Sequence, residues 1–192
     1  MRVITIVEGH GETEAVPLLV RRMAARLDYR GSLELPHPIR VNRGRLLRAG
    51  ELERAVDLAG RKSSAGDAIL VVFDADGDCP ATLAPAVLAR AVASRRDRRI
   101  AVIIANREYE AWLIAASDSL VAQGRLRPSA SAPANPEDIR NPKAWLSDHL
   151  AGSRSYSETI DQAALTAVFD LTEARRAASF DKFFREVESL LV

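Results

Sequence analysis

A chain of 192 residues, 47% hydrophobic and 28% charged, is long enough for one buried core and carries no apolar run of membrane-spanning length. Its 27 basic and 26 acidic residues leave a formal charge of +1, so bulk charge gives no argument for a nucleic-acid partner, although a sum hides local clusters. The single Cys79 excludes an internal disulfide and a cysteine-based zinc site, and His10, His37 and His149 are too scattered for a zinc cluster. Only Lys62, Lys143 and Lys182 are lysines against 24 arginines, so any one arginine carries little weight and each lysine carries more. The chain enters an apolar run at once, with no basic region ahead of a long apolar segment. A cytoplasmic protein without membrane contact is the expectation.

Strand and helix signals alternate through roughly the first 118 residues. Val3-Ile4-Thr5-Ile6-Val7 reads as a first strand, apolar on both faces and therefore buried in a parallel sheet. The spacing of Leu18, Leu19, Met23 and Leu27 predicts a helix over 13–27, with Thr13 as its cap and Pro17 near its first turn. Pro36 and Pro38 lead into a weaker strand at Ile39-Arg40-Val41, and a second helix follows over 51–61. Ala68 to Phe73 is the strongest strand. A helix over 81–96 and a strand over 100–105 come next, and then a helix over 108–116. The basic run from Arg95 to Arg99 reads as a solvated helix terminus. This order predicts about four parallel strands with helices on both faces. Beyond a small-residue, proline-bearing loop at 129–136, helices are expected over 136–150, 158–168 and 180–191. The predicted organisation is an α/β unit over 1–118 with a helical extension over 119–192.

Two strands end in acidic motifs. The first gives Glu8-Gly9, the third Asp74-Ala75-Asp76-Gly77. Ligands collect at the carboxyl ends of parallel strands. If the first and third strands are neighbours, Glu8, Asp74 and Asp76 share one small volume. Such carboxylates cannot all stay ionised without a cation, and oxygen ligands favour Mg²⁺ or Mn²⁺. Residues 74 and 76 point the same way if strand geometry persists. Acidic residues after strands also cap helices and close turns, which is the competing reading for Asp74, Asp76 and Asp78. Glu12 and Glu14 sit where a helix dipole favours acid. Gly9 and Gly11 free the loop for left-handed turns and close phosphate approach.

The string Val7-Glu8-Gly9-His10-Gly11-Glu12-Thr13-Glu14, taken with Asp74-x-Asp76, resembles the signature of TOPRIM domains, and most closely their OLD-type nuclease branch. Glu108-Tyr109-Glu110-Ala111-Trp112-Leu113, Asn141-Pro142-Lys143 and Ser179-Phe180 resemble marks of one TOPRIM-like family catalogued as domain of unknown function 4276, often encoded beside ATPases. The resemblance implies a TOPRIM-like, Rossmann-like sheet and Mg²⁺- or Mn²⁺-dependent phosphodiester chemistry on DNA or RNA, with a separate ATPase as a partner. It implies Asp74 and Asp76 as metal ligands, Glu8 as ligand or general acid/base, Glu110 as a further ligand and Lys143 as a cation for the reacting phosphate. Glu108 and Glu110 lie about 200° apart on a helix, so only one is expected to face the site. Trp112 reads as core. Arg43, Arg45 and Arg48, following Arg40, form a candidate phosphate-tracking rim. Tyr156, Asp161 and Gln162 are further polar residues that can complete a cluster.

Two other functions stay open at this point: a noncatalytic module binding nucleic acid or a partner protein, and a metal-dependent phosphatase or phosphotransferase. A haloacid-dehalogenase phosphatase is disfavoured because its acidic pair follows the first strand, whereas here the pair follows the third. A topoisomerase is disfavoured because the chain has no room for a strand-gate domain. No phosphate-binding loop of the Walker type is present, so an ATPase would be a separate protein.

Overall fold

Four runs of the chain form one parallel sheet of Rossmann-like α/β architecture. The structure, a computed structural model, describes residues 1–191, so Val192, the last residue of the predicted extension, lies outside the described residues. The strands are β1 (Val3–Val7), β2 (Ile39–Arg40), β3 (Ala68–Asp74) and β4 (Arg99–Ala105), in the spatial order β2-β1-β3-β4. β1 and β3 are neighbours, with Val3 opposite Ala68 and Val7 opposite Val72. β4 closes the other side of β3, with Asp74 opposite Ala105. β2 is only two residues long, shorter than the run 39–41 suggested. Val41 still donates its N–H to the Val7 carbonyl at 2.8 Å, but beyond it Asn42 leaves the strand to cap a helix.

The alternating side chains of the strands feed two cores. On one face, Ile4, Ile6, Ile69, Val71, Phe73, Val102 and Ile104 pack against α3 (Glu51–Arg61) and α4 (Pro80–Ser94). On the other, Val3, Val7, Leu70, Val72, Ala101 and Ile103 pack against α1 (Glu12–Arg26) and a group of helices from the second half of the chain. That group contains α5 (Glu110–Ala115), α6 (Ser117–Ala122), α7 (Pro142–His149), α8 (Glu158–Thr166) and α9 (Ala178–Leu191). The extension is thus one hydrophobic core with the sheet. Trp112 lies at its centre, fully buried, against Tyr109, Phe180 and Phe183, and its indole N–H donates to Ser179 Oγ at 2.8 Å.

Three local expectations need correction. Thr13 does not cap α1; its hydroxyl donates to the His10 carbonyl, and the residue at the cap is Gly11. The helix expected from Glu108 starts only at Glu110, and an isolated 3-10 turn at Pro136–Asp138 is separate from α7. The break before α7 follows from Pro142, which pushes Asn141 out of helical geometry (ψ 79°) and leaves its side chain free to accept the Ala144 N–H at 3.0 Å.

Gly9 and Gly11 serve the packing of α8. Neither has a left-handed backbone. A Cβ on Gly9 would come within 2.7 Å of Glu158 Oε1, and one on Gly11 within 2.6 Å of the Glu158 carbonyl and closer still to Gln162 Oε1. Gly11→Ala is therefore expected to destabilise the protein by about 1–3 kcal/mol by forcing α8 away from the β1–α1 loop. Thermal unfolding checks this; an unchanged midpoint would show that α8 yields without cost.

Candidate functional site

The acidic residues gather where β1 and β3 end. Glu8 follows the last residue of β1, and its Oε2 lies 3.4 Å from the Asp74 backbone N–H. Asp74 closes β3, and its Oδ1 accepts the N–H of Tyr109 at 2.9 Å from the turn beyond β4. Glu12, in the first turn of α1, folds back so that its Oε2 accepts the N–H groups of both Glu8 and Gly9 at 2.9 Å. That carboxylate is buried, and it occupies the position at the start of α1 where an outside anion would dock. Glu14 points to solvent and takes no part.

The extension supplies the roof. Glu110 is fully buried; its Oε1 accepts the Tyr156 hydroxyl at 2.9 Å and a longer bond from the Gln162 amide at 3.4 Å. Its Oε2 is buried without a hydrogen-bond partner. Lys143, near the start of α7, places its ammonium 3.1 Å from Glu158 Oε2 and 3.9 Å from Glu108 Oε2. Because α5 begins at Glu110, Glu108 precedes the helix and is not held 200° away from it. Both carboxylates act on Lys143, which corrects the expectation that only one faces the site.

The second half of the Asp-x-Asp motif turns elsewhere. Strand geometry ends at Asp74, and Asp76 has φ 52°, a left-handed backbone uncommon for a residue with a side chain. The expectation that 74 and 76 point alike therefore does not hold. Asp76 and Asp78 both pair with the guanidinium of Arg43, which comes from α2 (Arg43–Leu46). Arg43 is thus committed to the acidic loop. Arg45 pairs with Glu51, and Arg48 is exposed.

Burial of so many acids has an electrostatic consequence. It pushes the Glu110 carboxyl up to about 7, against the pull of Lys143 and the Tyr156 hydrogen bond. It likewise lifts Glu12 to about 7, despite the two backbone N–H groups on it. Asp74 is held well above the ordinary carboxylate range by burial and then by the charges of Glu12, Glu110 and Glu8. Glu8 is raised by burial, with the backbone N–H groups of Asp74 and Arg43 acting the other way. Burial disfavours the Lys143 ammonium, but Glu110, Glu108 and Glu158 outweigh that and hold it more firmly protonated than usual.

The donors fit a hard cation in kind: all are carboxylate oxygens, and one of them, Glu110 Oε2, is buried with nothing to bond. As they stand, no three acidic, imidazole or thiol side chains among the described residues converge tightly enough to ligate one ion. Tyr156 and Gln162, raised in the sequence only as possible members of a cluster, turn out to hold Glu110. Glu158 was legible only as a residue in a first helical turn; nothing local marks it as the partner of Lys143.

The raised carboxyls give a pH dependence with a definite sign. Glu110 and Glu12 ionise near 4.5 when unfolded and near 7 in the fold, so between these values the native state binds more protons than the unfolded one. Their favourable contribution is complete below about 4.5 and is lost as the pH rises through 7. Without divalent ions, the unfolding midpoint is expected to fall from pH 5 to pH 8 by on the order of 10 °C. Glu110→Gln should remove a large part of that slope, because the amide keeps the Tyr156 bond without the charge. Calorimetric scans of both proteins across this range test the sign; stability rising with pH would contradict it.

No curated protein and no solved structure matches this chain. A family match covers residues 7–188, which includes every site residue from Glu8 to Gln162. The chain belongs to the family described as Domain of unknown function (DUF4276).

Proposed function

We propose that this protein is a Mg²⁺- or Mn²⁺-dependent phosphodiester-cleaving enzyme of the TOPRIM kind, acting on DNA or RNA, with a separate ATPase as partner. The observation that carries the reading is that Glu8, Asp74 and Glu110 lie near enough at the carboxyl edge of the sheet for their charges to act on Asp74, with Glu110 Oε2 buried and unpaired. The TOPRIM relation rests on the Glu8-Gly9 and Asp74-x-Asp76 motifs and on the β1–β3 adjacency that joins them.

Glu8, Asp74 and Glu110 are the residues that would hold the ion, while Asp76 stays with Arg43. A divalent cation supplies Lewis-acid stabilisation of phosphoryl oxygens and a water acidic enough to attack near neutral pH. Tyr156 and Gln162 fix the direction of Glu110. α8 packs against the β1–α1 loop at Gly9 and Gly11, which leaves Glu8 partly open. Glu8, only partly buried and raised in its proton affinity, is the group placed to take a proton from the attacking water. Lys143, paired with Glu158 at 3.1 Å, would have to leave that pair to offset the charge that develops on a reacting phosphate. Because the carboxylates do not converge in their present rotamers, ion binding requires side-chain movement.

The same lack of convergence favours a second reading, a noncatalytic module that binds nucleic acid or a protein. A panel of single-stranded, double-stranded and supercoiled DNA and RNA, with Mg²⁺ or Mn²⁺, separates the two. Cleavage by the wild type should fall about 10²-fold or more in Glu8→Gln. Lys143→Ala should cost less, and Lys143→Arg should not restore it, since a planar fork differs from a compact ammonium. No cleavage with any divalent ion, even beside a candidate ATPase, would remove the nuclease reading and leave the noncatalytic module or a phosphatase acting on a small substrate. Cleavage unchanged by Glu8→Gln and Asp74→Ala would belong to a contaminant.

A further inference from the structure

The loop after β3 contains a cation position that the protein fills with its own side chain. Four oxygens converge on the Arg43 guanidinium. Nε donates to the Asp74 carbonyl at 3.0 Å and Nη2 to the Ala75 carbonyl at 3.1 Å. Nη2 also bonds Asp78 Oδ2, and Nη1 lies 3.5 Å from Asp76 Oδ2. Two carboxylates and two backbone carbonyls are a donor set that hard divalent ions also use. The side chain of Arg43 is only 17% exposed, although Asp76 and Asp78 are open to solvent. The guanidinium is therefore inserted under the loop rather than lying across it.

The left-handed backbone at Asp76 fits this role. A residue with a side chain held at φ 52° is strained, and such strain persists only where surrounding contacts impose it. Arg43 makes part of those contacts, at the Asp74 and Ala75 carbonyls and the two side chains, while the Asp76 N–H donates to the Arg107 carbonyl at 3.0 Å. Removing the guanidinium leaves Asp76 and Asp78 facing one another across two carbonyl oxygens with no positive charge between them. Lys143, the other cation of the site, pairs with Glu158 and makes no ion pair with Asp76 or Asp78 among the described residues.

We infer that the Arg43 guanidinium takes the place of a second divalent ion, so that the chain binds one such ion at Glu8, Asp74 and Glu110 rather than a pair. Arg43 is on this view a positioning residue: it keeps Asp76 and Asp78 out of the ion's coordination and fixes the loop that carries Asp74. The inference rests on the proposed metal centre, and its consequences are separable from it.

Mn²⁺ titration by calorimetry, with bound ion counted by electron paramagnetic resonance, tests stoichiometry without any cleavage assay. The wild type should bind one Mn²⁺ per chain. Arg43→Gln should bind two, the second being lost again when Asp76→Asn is added. Without ions, Arg43→Gln should unfold at a lower temperature than the wild type and recover more of its midpoint when Mn²⁺ is supplied. Should Arg43→Gln fail to fold, Asp76→Asn alone decides: one ion bound, with affinity within about threefold of wild type, supports the inference, and lost binding overturns it. Two ions on the wild type, or one ion on both wild type and Arg43→Gln, also overturns it while leaving the metal centre standing. No ion on the wild type but one on Arg43→Gln upholds the role of Arg43 and removes the proposed centre. No ion on either removes both.

Discussion

Desolvation of carboxylates is the constraint on which the rest of the site depends. Parallel pairing of β1 with β3 sets Glu8 beside Asp74, and that alone would leave two acids at an open sheet edge. The return of the chain through α5, α7 and α8 closes the edge over them and brings Glu110 with it. Taking several acids out of water is unfavourable unless each finds protons, hydrogen bonds or cations. The protein answers differently at each one. Glu12 takes two backbone N–H groups, Asp76 and Asp78 take Arg43, and Glu158 takes Lys143. Glu110 keeps one oxygen without an answer. The site is defined as much by this uneven distribution of partners as by the number of its acids.

The same frame explains why the glycines matter. A loop that carried side chains at positions 9 and 11 would hold α8 off, and Gln162 would lose its reach to Glu110. Packing at the β1–α1 loop and hydrogen bonding at Glu110 are thus one arrangement.

Strand positions were legible in the sequence because buried parallel strands are continuous apolar runs, and Ala68–Asp74 and Val3–Val7 have little else to be. The neighbouring of the two acidic motifs was a separate expectation, and the pairing of β1 with β3 meets it. Less legible was whatever depended on a partner far along the chain. Glu12 carried the signal of a dipole-favoured acid, yet its carboxylate folds back onto the Glu8 and Gly9 N–H groups. Asp76 carried the signal of a ligand, yet a turn in the left-handed region and an arginine thirty-odd residues upstream redirect it. Arg43 carried the signal of a phosphate-tracking rim, yet it binds the acidic loop, and periodicity cannot distinguish a guanidinium inserted under a loop from one in solvent. The role of Tyr156 rests on a hydrogen bond spanning 46 positions, which no local pattern encodes.

The seat of α9 against β4 has a consequence for how the chain is made. The sheet is complete once Ala105 has been synthesised, but the helix that covers Ile103 and its neighbours on one face ends at Leu191. Ser179 on that helix also receives the Trp112 indole and the Asn106 N–H, so the centre of the core waits for it too. At the usual pace of translation, the interval between the two is on the order of ten seconds. For that time α1 is already in place on that face, but the apolar side chains of β4 that α9 will cover stay exposed, so the nascent chain carries an unfinished core until its last helix is made.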